Sequence, residues 1–348
     1  MKYRYLGRSG LSVSRLCLGT MTFGMKDWGC DEAGSREIFR AFVDAGGNFL
    51  DTADAYSAGE SERIIGAILG DHHRDDLVIA TKSWFPTGDA VTARGSNRKH
   101  IVEACEASLR RLGTDYVDLY QFHGPDPFTP IDETLRAADD LVRAGKVRYL
   151  GCSNFHGWQI SRANGVAALQ GLTPLVSAQH LYNLLRRDIE REVLPACAAE
   201  GVGMICFSPL AAGMLSGKYR GQDKPAENTR HAQQAAIVLK RFWFDEAKAV
   251  VDKLVEVAGK IGKTPSQTAL AWLLGDARVT AAIVGARAVQ QIRENLDAGD
   301  FDLPEEARRE LTDALPFDHG YPQEWIALNA PNALRKAETD PAHTLFRL

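Results

Sequence analysis

Eight short apolar runs, set at intervals that fit one strand and one helix each, constrain the fold of this chain more than any other feature. They end near Gly19, Asp51, Thr81, Phe122, Cys152, Gln179, Phe207 and Val284, with helical patterns filling most of the gaps. From Gly19 to Phe207 the ends fall roughly 25 to 45 residues apart, the length of one βα unit. Repeated βα units imply a parallel sheet covered by helices. Eight strands predict an α/β fold of the closed (β/α)8 type, the TIM barrel, which takes about 250 residues. The chain has 348, so the remainder goes to insertions and ends.

A hairpin pattern precedes the first run, and residues 1–348 read as a single barrel domain. Helix punctuation agrees. Residues 97–112 carry Ile101, Ala104, Cys105, Leu109 and Leu112 at helical spacing, and Gly113 follows as a stop. Thr264-Pro265-Ser266-Gln267 combines a cap, a proline at the first helical position and a capping-box glutamine. Another helix is expected from about Asp302-Leu303-Pro304. The polar stretch from Gly217 to Gln234 lacks a period, and so does the tail, 316–348, which holds Tyr321 and Trp325. Both are expected on loops. The tail is expected to be a C-terminal loop that shapes substrate choice, because loops on a rigid barrel carry specificity.

Composition removes several classes. A net charge of −4 gives no basic footprint, so no nucleic-acid partner is expected. No apolar run reaches the ~18 residues of a membrane span, and Met-Lys-Tyr-Arg-Tyr-Leu-Gly lacks a signal-peptide core. The six cysteines, 17, 30, 105, 152, 197 and 206, include no C-x-x-C pair. Neither a metal site nor a disulfide is expected, and the usage suits a reduced, cytoplasmic protein. The chain also has no G-x-G-x-x-G. Its nearest approach is Gly201-Val202-Gly203, with Cys206 where the last glycine should stand. A dinucleotide, if bound, is held by another device.

Asp51, Lys82 and His123 each close an apolar run, and Tyr56 lies five residues beyond Asp51. Charged groups at buried strand ends need partners, and in a barrel these ends share one face. Taken singly, each residue has an ordinary structural reading. Together they make a chemical set. A cation beside a tyrosine favours the phenolate, and lowering its pKa from about 10 to 7 takes about 4 kcal/mol. Lys82 supplies that cation, Asp51 balances it, and His123 adds a hydrogen bond toward a substrate oxygen. Such a set can protonate a developing alkoxide.

The segments that carry these residues resemble the aldo-keto reductase family over nearly the whole chain. They are Leu-Gly-Thr-Met-Thr-Phe-Gly at 18–24, Phe-Leu-Asp-Thr-Ala-Asp-Ala-Tyr at 49–56, Ala-Thr-Lys at 80–82 and Asp-Leu-Tyr-Gln-Phe-His at 118–123. Gly-Cys-Ser-Asn-Phe at 151–155, Phe-Ser-Pro-Leu-Ala at 207–211 and Ile-Val-Gly-Ala-Arg at 283–287 complete the series. The resemblance implies a reversible, NADPH-dependent reduction of an aldehyde or ketone. Tyr56 is then the general acid, tuned by Lys82 and Asp51, and His123 orients the carbonyl. It also implies NADP(H) bound in an extended form. Gly19, Thr20, Met21 and Asp51 fall in the matching set, Ser153, Asn154 and Gln179 match the carboxamide positions, and Phe207 matches the ring that stacks on the nicotinamide. Ser208, Pro209, Leu210, Ala211 and Lys218 match the pyrophosphate segment. Gly285, Arg287, Gln291, Glu294 and Asn295 match the adenosine end. Arg287 before a helix also suits a 2′-phosphate on physical grounds. Arg230 is a further candidate on the adenine side.

Two rival readings remain at this stage. One is an NADPH-binding regulatory subunit with little turnover. The potassium-channel β-subunits of the family carry asparagine where His123 stands, which favours a working enzyme here. The other is a barrel enzyme that uses Lys82 for a Schiff base, but Asp51 would keep that lysine charged. Met21, Phe23, Trp28, Trp84 and Phe85 are expected to form an apolar pocket mouth for a small-molecule carbonyl or alcohol.

Overall fold

In the computed structural model, which describes residues 1–222 and 235–333, eight parallel strands close into a barrel. They are β3 (Leu16–Gly19), β4 (Phe49–Asp51), β5 (Val78–Ser83), β6 (Val117–Phe122), β7 (Val147–Ser153), β8 (Leu175–Leu181), β9 (Gly203–Phe207) and β10 (Val279–Gly285). Pairing of β10 with β3 completes the ring. Before it, β1 (Tyr3–Tyr5) and β2 (Ser12–Ser14) form the antiparallel hairpin. Every expected strand end lies within two residues of the observed one.

Side chains alternate across each strand, and the two faces meet different partners. Inward, Cys17, Phe49, Val78, Ala80, Leu119, Ile205, Ala281 and Ile283 fill the barrel, joined by Leu6 and Val13 from the hairpin segment. Outward, Leu18, Leu50, Ile79, Tyr120, Leu150 and Met204 pack with helix residues such as Ile38, Phe42, Ile65 and Leu273. The hairpin therefore closes the N-terminal end of the barrel. Gly7 makes this approach possible: at φ +58, an added Cβ would lie 2.5 Å from Val176 O and 2.6 Å from Gly201 O. The other end stays open for side chains from the loops.

The expected helix signals act as read. Arg98–Leu112 begins at Asn97, whose side chain accepts the His100 N–H, and ends at Gly113 with φ 63. Pro265–Leu274 begins at a reciprocal cap, in which Gln267 N donates to Thr264 Oγ1 (3.2 Å) and Thr264 N to Gln267 Oε1 (3.1 Å). The tail differs from expectation, because Gln323–Ala333 is helical. Tyr321 and Trp325 stay 80 % and 59 % exposed, so no buried face imposes the period that would have marked the helix. Gln323 Nε2 donates to Arg191 O, and Arg187 to Leu315 O, which fastens the tail to the segment after β8. Residues 223–234 of the polar stretch, Arg230 included, and 334–348 of the tail lie outside the described residues.

Candidate active site

The barrel core itself positions the site. Two residues beyond an inward core side chain, the next inward position reaches the C-terminal mouth. Thus Phe49 leads to Asp51, Ala80 to Lys82, Leu119 to Gln121, Ile205 to Phe207, and Ile283 to Gly285. One step beyond Gln121 on the same face comes His123. In three of these five strands an apolar inward residue is followed by a polar one, Asp51, Lys82 or Gln121: the alternation is continuous, and only the chemistry changes.

Lys82 is fully buried and its ammonium is fully occupied. Nζ donates to Asp51 Oδ1 at 2.6 Å, to Thr52 O at 2.7 Å and to Tyr56 Oη at 3.1 Å. Burial alone would lower its pKa, but Asp51 and Tyr56 outweigh burial and hold it above the ordinary lysine value. The other Asp51 oxygen accepts Gln179 Nε2 at 2.7 Å and Gln121 Nε2 at 3.1 Å. A buried charge pair is tolerated only when its remaining hydrogen-bonding capacity is met, and here it is. Tyr56 Oη accepts from the ammonium.

The His123 ring stands edge-on to Tyr56, with centroids 5.9 Å apart. Burial of the ring, together with the Lys82 charge, pulls its pKa down to about 3. It is a neutral imidazole with one N–H to give, and its Nδ1 has no hydrogen-bond partner among the described residues. Phe85 packs edge-on to His123 at 4.9 Å and to Trp84 at 5.0 Å, which makes an apolar wall beside the Tyr56–His123 pair. Met21 and Trp28 are half-buried in the first loop. Phe23 is a correction to the expected mouth: it is fully buried in the outer core against the helices and lines no opening.

The residues matched to the cofactor form an arc over the same face. Thr20 donates to Asp51 O (3.1 Å), Ser153 Oγ to Gln179 O (2.9 Å), and Asn154 Nδ2 to His123 O (3.0 Å). Gly19 lies beside Gly285 in the β3–β10 register. Phe207 is only half-buried, unlike the four strand residues before it, which leaves ring surface free for stacking. Pro209 and Ala211 are buried under this loop and Leu210 is half-buried. The exposed Lys218 lies across Gly213, whose added Cβ would be 2.9 Å from Nζ. At the far end, the helix Val289–Leu296 starts at Ala288 with no side-chain cap, and the exposed Arg287 stands just before it. Gln291 Oε1 accepts the Arg287 N–H (3.0 Å), Glu294 is half-buried and Asn295 is buried. A half-exposed ring, a glycine-lined step under a lysine and an uncapped helix start beside an arginine fit an extended dinucleotide phosphate.

Backbone strain marks the same face. Among the described residues, the six non-glycine residues with positive φ, namely Ser57, Ala58, Asn154, Ser208, Ala211 and Ala212, follow β4, β7 and β9. Such conformations cost about 1–3 kcal/mol each and persist where surrounding structure over-determines them.

Two contributors were not singled out from the sequence. Gln121 binds Asp51 directly, and its signal was present: a polar residue at an inward position between Leu119 and His123. Asp54 gave no such signal. It is 4 % exposed, and neither carboxyl oxygen has a full hydrogen-bond partner. Burial first, then the neighbouring Glu62, push its pKa up to about 7. Glu62 is itself held by Thr81 Oγ1 and Arg111 Nε, each at 2.6 Å.

Comparison with known proteins agrees with this geometry. The model of the Aldo/keto reductase family matches residues 15–315. The chain is 39 % identical to an uncharacterized oxidoreductase, YrpG, of Bacillus subtilis, over 92 % of this chain and 98 % of that protein. It is 37 % identical to a putative voltage-gated potassium channel subunit beta of Schizosaccharomyces pombe, covering 90 % and 93 % of the two chains. The versiconal hemiacetal acetate reductase of Aspergillus parasiticus is 35 % identical over 79 % of this chain and 85 % of its own. With this barrel, and with a family match that spans all eight of its strands, the chain belongs to the aldo/keto reductase family.

Proposed function

We propose that this chain is an NADPH-dependent carbonyl reductase that reduces an aldehyde or ketone, reversibly, with Tyr56 as general acid and base. One observation carries the reading: a single buried ammonium, Lys82, is hydrogen-bonded to both Asp51 and Tyr56. When bound, the nicotinamide supplies a hydride to the carbonyl carbon. The protein's part is the oxygen. Tyr56 and the neutral His123 hold it by hydrogen bonds, and Tyr56 gives its proton as negative charge develops there. The phenolate left behind sits 3.1 Å from Lys82 Nζ, so the charge is stabilised at once, and Asp51 keeps the ammonium in place. Alcohol oxidation runs these steps in reverse.

Phe207, Ser153, Asn154 and Gln179 would hold the nicotinamide, the loop from Ser208 to Ala211 with Lys218 the pyrophosphate, and Arg287 the 2′-phosphate. The wall of Trp84 and Phe85 supports a carbonyl with an apolar body as substrate. Six free cysteines, five of them buried, support a cytoplasmic setting. Retention of His123 supports turnover over a purely regulatory role.

The test separates chemistry from binding. Tyr56→Phe keeps the ring and loses only the proton, so carbonyl-dependent NADPH consumption should fall by about 10²–10⁴. NADPH affinity, read by fluorescence titration, should stay near that of the parent protein. Near-normal turnover in the variant would falsify the assignment.

A further inference from the structure

Beyond the catalytic groups, one half-buried carboxylate joins two loops at the mouth. Asp126 follows β6, three residues past His123. Its Oδ1 accepts the Phe128 N–H at 2.9 Å within its own loop. Its Oδ2 accepts the Thr129 hydroxyl at 2.8 Å and, from the loop after β5, the Ser96 N–H at 2.8 Å. The adjoining Gly95 has φ +73, and an added Cβ there would lie 2.5 Å from Oδ2, so glycine is what lets the two loops meet. Gly95 N–H then donates to Trp84 O at 2.8 Å. Partial burial disfavours the charge, but these N–H and hydroxyl donors hold the carboxyl below the usual aspartate range. A charged acceptor makes the cross-loop bond a strong one.

The segment so held is the one that carries the apolar wall. Trp84 packs on Gly124 of the opposite loop, whose added Cβ would lie 3.2 Å from the indole. Phe85 bridges Trp84 and His123. Yet Phe85 is 41 % and Val91 86 % exposed, so the segment has little core of its own. Its internal ties are few: Thr87 N–H donates to Ala93 O, Ala93 N–H to Ala90 O, and Asn97 Nδ2 to Thr92 O and Arg94 O. At the far end Ser96 is held from the β6 side twice, its N–H by Asp126 and its carbonyl by the Thr134 hydroxyl at 3.0 Å, and the Asp126 bond is the one made to the β6 loop itself.

We propose that Asp126 is a positioning residue that sets the Trp84–Phe85 wall against His123 and so selects carbonyls with a bulky, flat apolar body. The proposal rests on the reductase reading and specifies its substrate class. A short aldehyde spans only Tyr56 and His123 and does not need the wall. A fused-ring aldehyde must lie against it.

The experiment compares the parent protein with Asp126→Asn and Asp126→Ala, using propanal and 2-naphthaldehyde with NADPH. Asparagine is isosteric and keeps an acceptor for Phe128 N–H, but it turns an amide N–H toward Ser96. Alanine removes every bond. Both variants should lose about tenfold in kcat/KM for the naphthaldehyde, through KM, and stay within about threefold for propanal. Hydrogen exchange of amides 84–97 should quicken in both, which reads the loop without reference to catalysis. Equal losses for the two aldehydes, a fall carried by kcat, or an unchanged ratio would overturn the role of Asp126 while leaving the reductase reading intact. A parent protein inert to both aldehydes would overturn that reading, and this proposal with it.

Discussion

Asp54 carries a cost near the site, because its carboxyl is buried beside Glu62 without a full partner. Arg111 and Lys82 lie close enough to offset part of that cost. In the unfolded chain an aspartate ionises near 3.9; here it does so near 7. Between those values the native state holds a proton that the unfolded state has lost, so stability falls as pH rises from about 4 to 7. The loss is then complete, at about 4 kcal/mol as an upper bound. Asp54→Asn removes the titration and keeps the shape. Denaturant unfolding at pH 5 and pH 8 should show the variant gaining on the parent protein, with the larger gain at pH 8. An advantage that shrinks with rising pH would refute the sign. Asp54 also shows where sequence reading stops. Asp51, Lys82 and His123 were legible because each interrupts an apolar run. Asp54 reads as an ordinary loop aspartate, and the charges that act on it, Glu62 and Arg111, stand eight and 57 residues away in sequence.

At the scale of elements, the loops carry the cost and the strands carry the order. Strand ends and helix caps were legible because their signals are local: an apolar run, an Asn97 or a Thr264, a Gly113. The helix Gln323–Ala333 was not, because it buries too little to imprint a period on its sequence. On the proposed reading, cofactor choice turns on the helix Val289–Leu296. It begins without a side-chain cap, and among the described residues none pairs with the Arg287 guanidinium beside it. Arg287→Ala should weaken NADPH binding by about 1.5–3 kcal/mol, the worth of hydrogen bonds to a charged group. NADH, which lacks the 2′-phosphate, should bind both proteins alike. Equal losses for the two cofactors in parallel titrations would remove Arg287 from the phosphate site.

Across the whole molecule the two ends of the barrel do different work, as in other barrels of this type. The mouth holds the charged network and, among the described residues, the six strained non-glycine ones, while the opposite end is sealed by the hairpin. That seal depends on close backbone approach. Arg4 donates to Leu274 O at 2.8 Å, and Arg8 N donates to Gly201 O at 2.8 Å. Between them Gly7 leaves no room for a side chain: three backbone atoms, Val176 O, Gly201 O and Gly203 N, lie within 2.7 Å of an added Cβ. Its φ of +58 adds strain for any other residue. Gly7→Ala must therefore push the hairpin off the starts of β8 and β9, at a cost of at least about 2 kcal/mol. The site lies at the other end of those strands, beyond the inward layer of Phe49, Ala80, Leu119 and Ile205. Thermal unfolding should show a clearly lower Tm for the variant. Below its transition, KM for NADPH and kcat for a carbonyl should match the parent protein. A variant with an unchanged Tm, or one that loses activity while still fully folded, would mean that the two ends are not separable in this way.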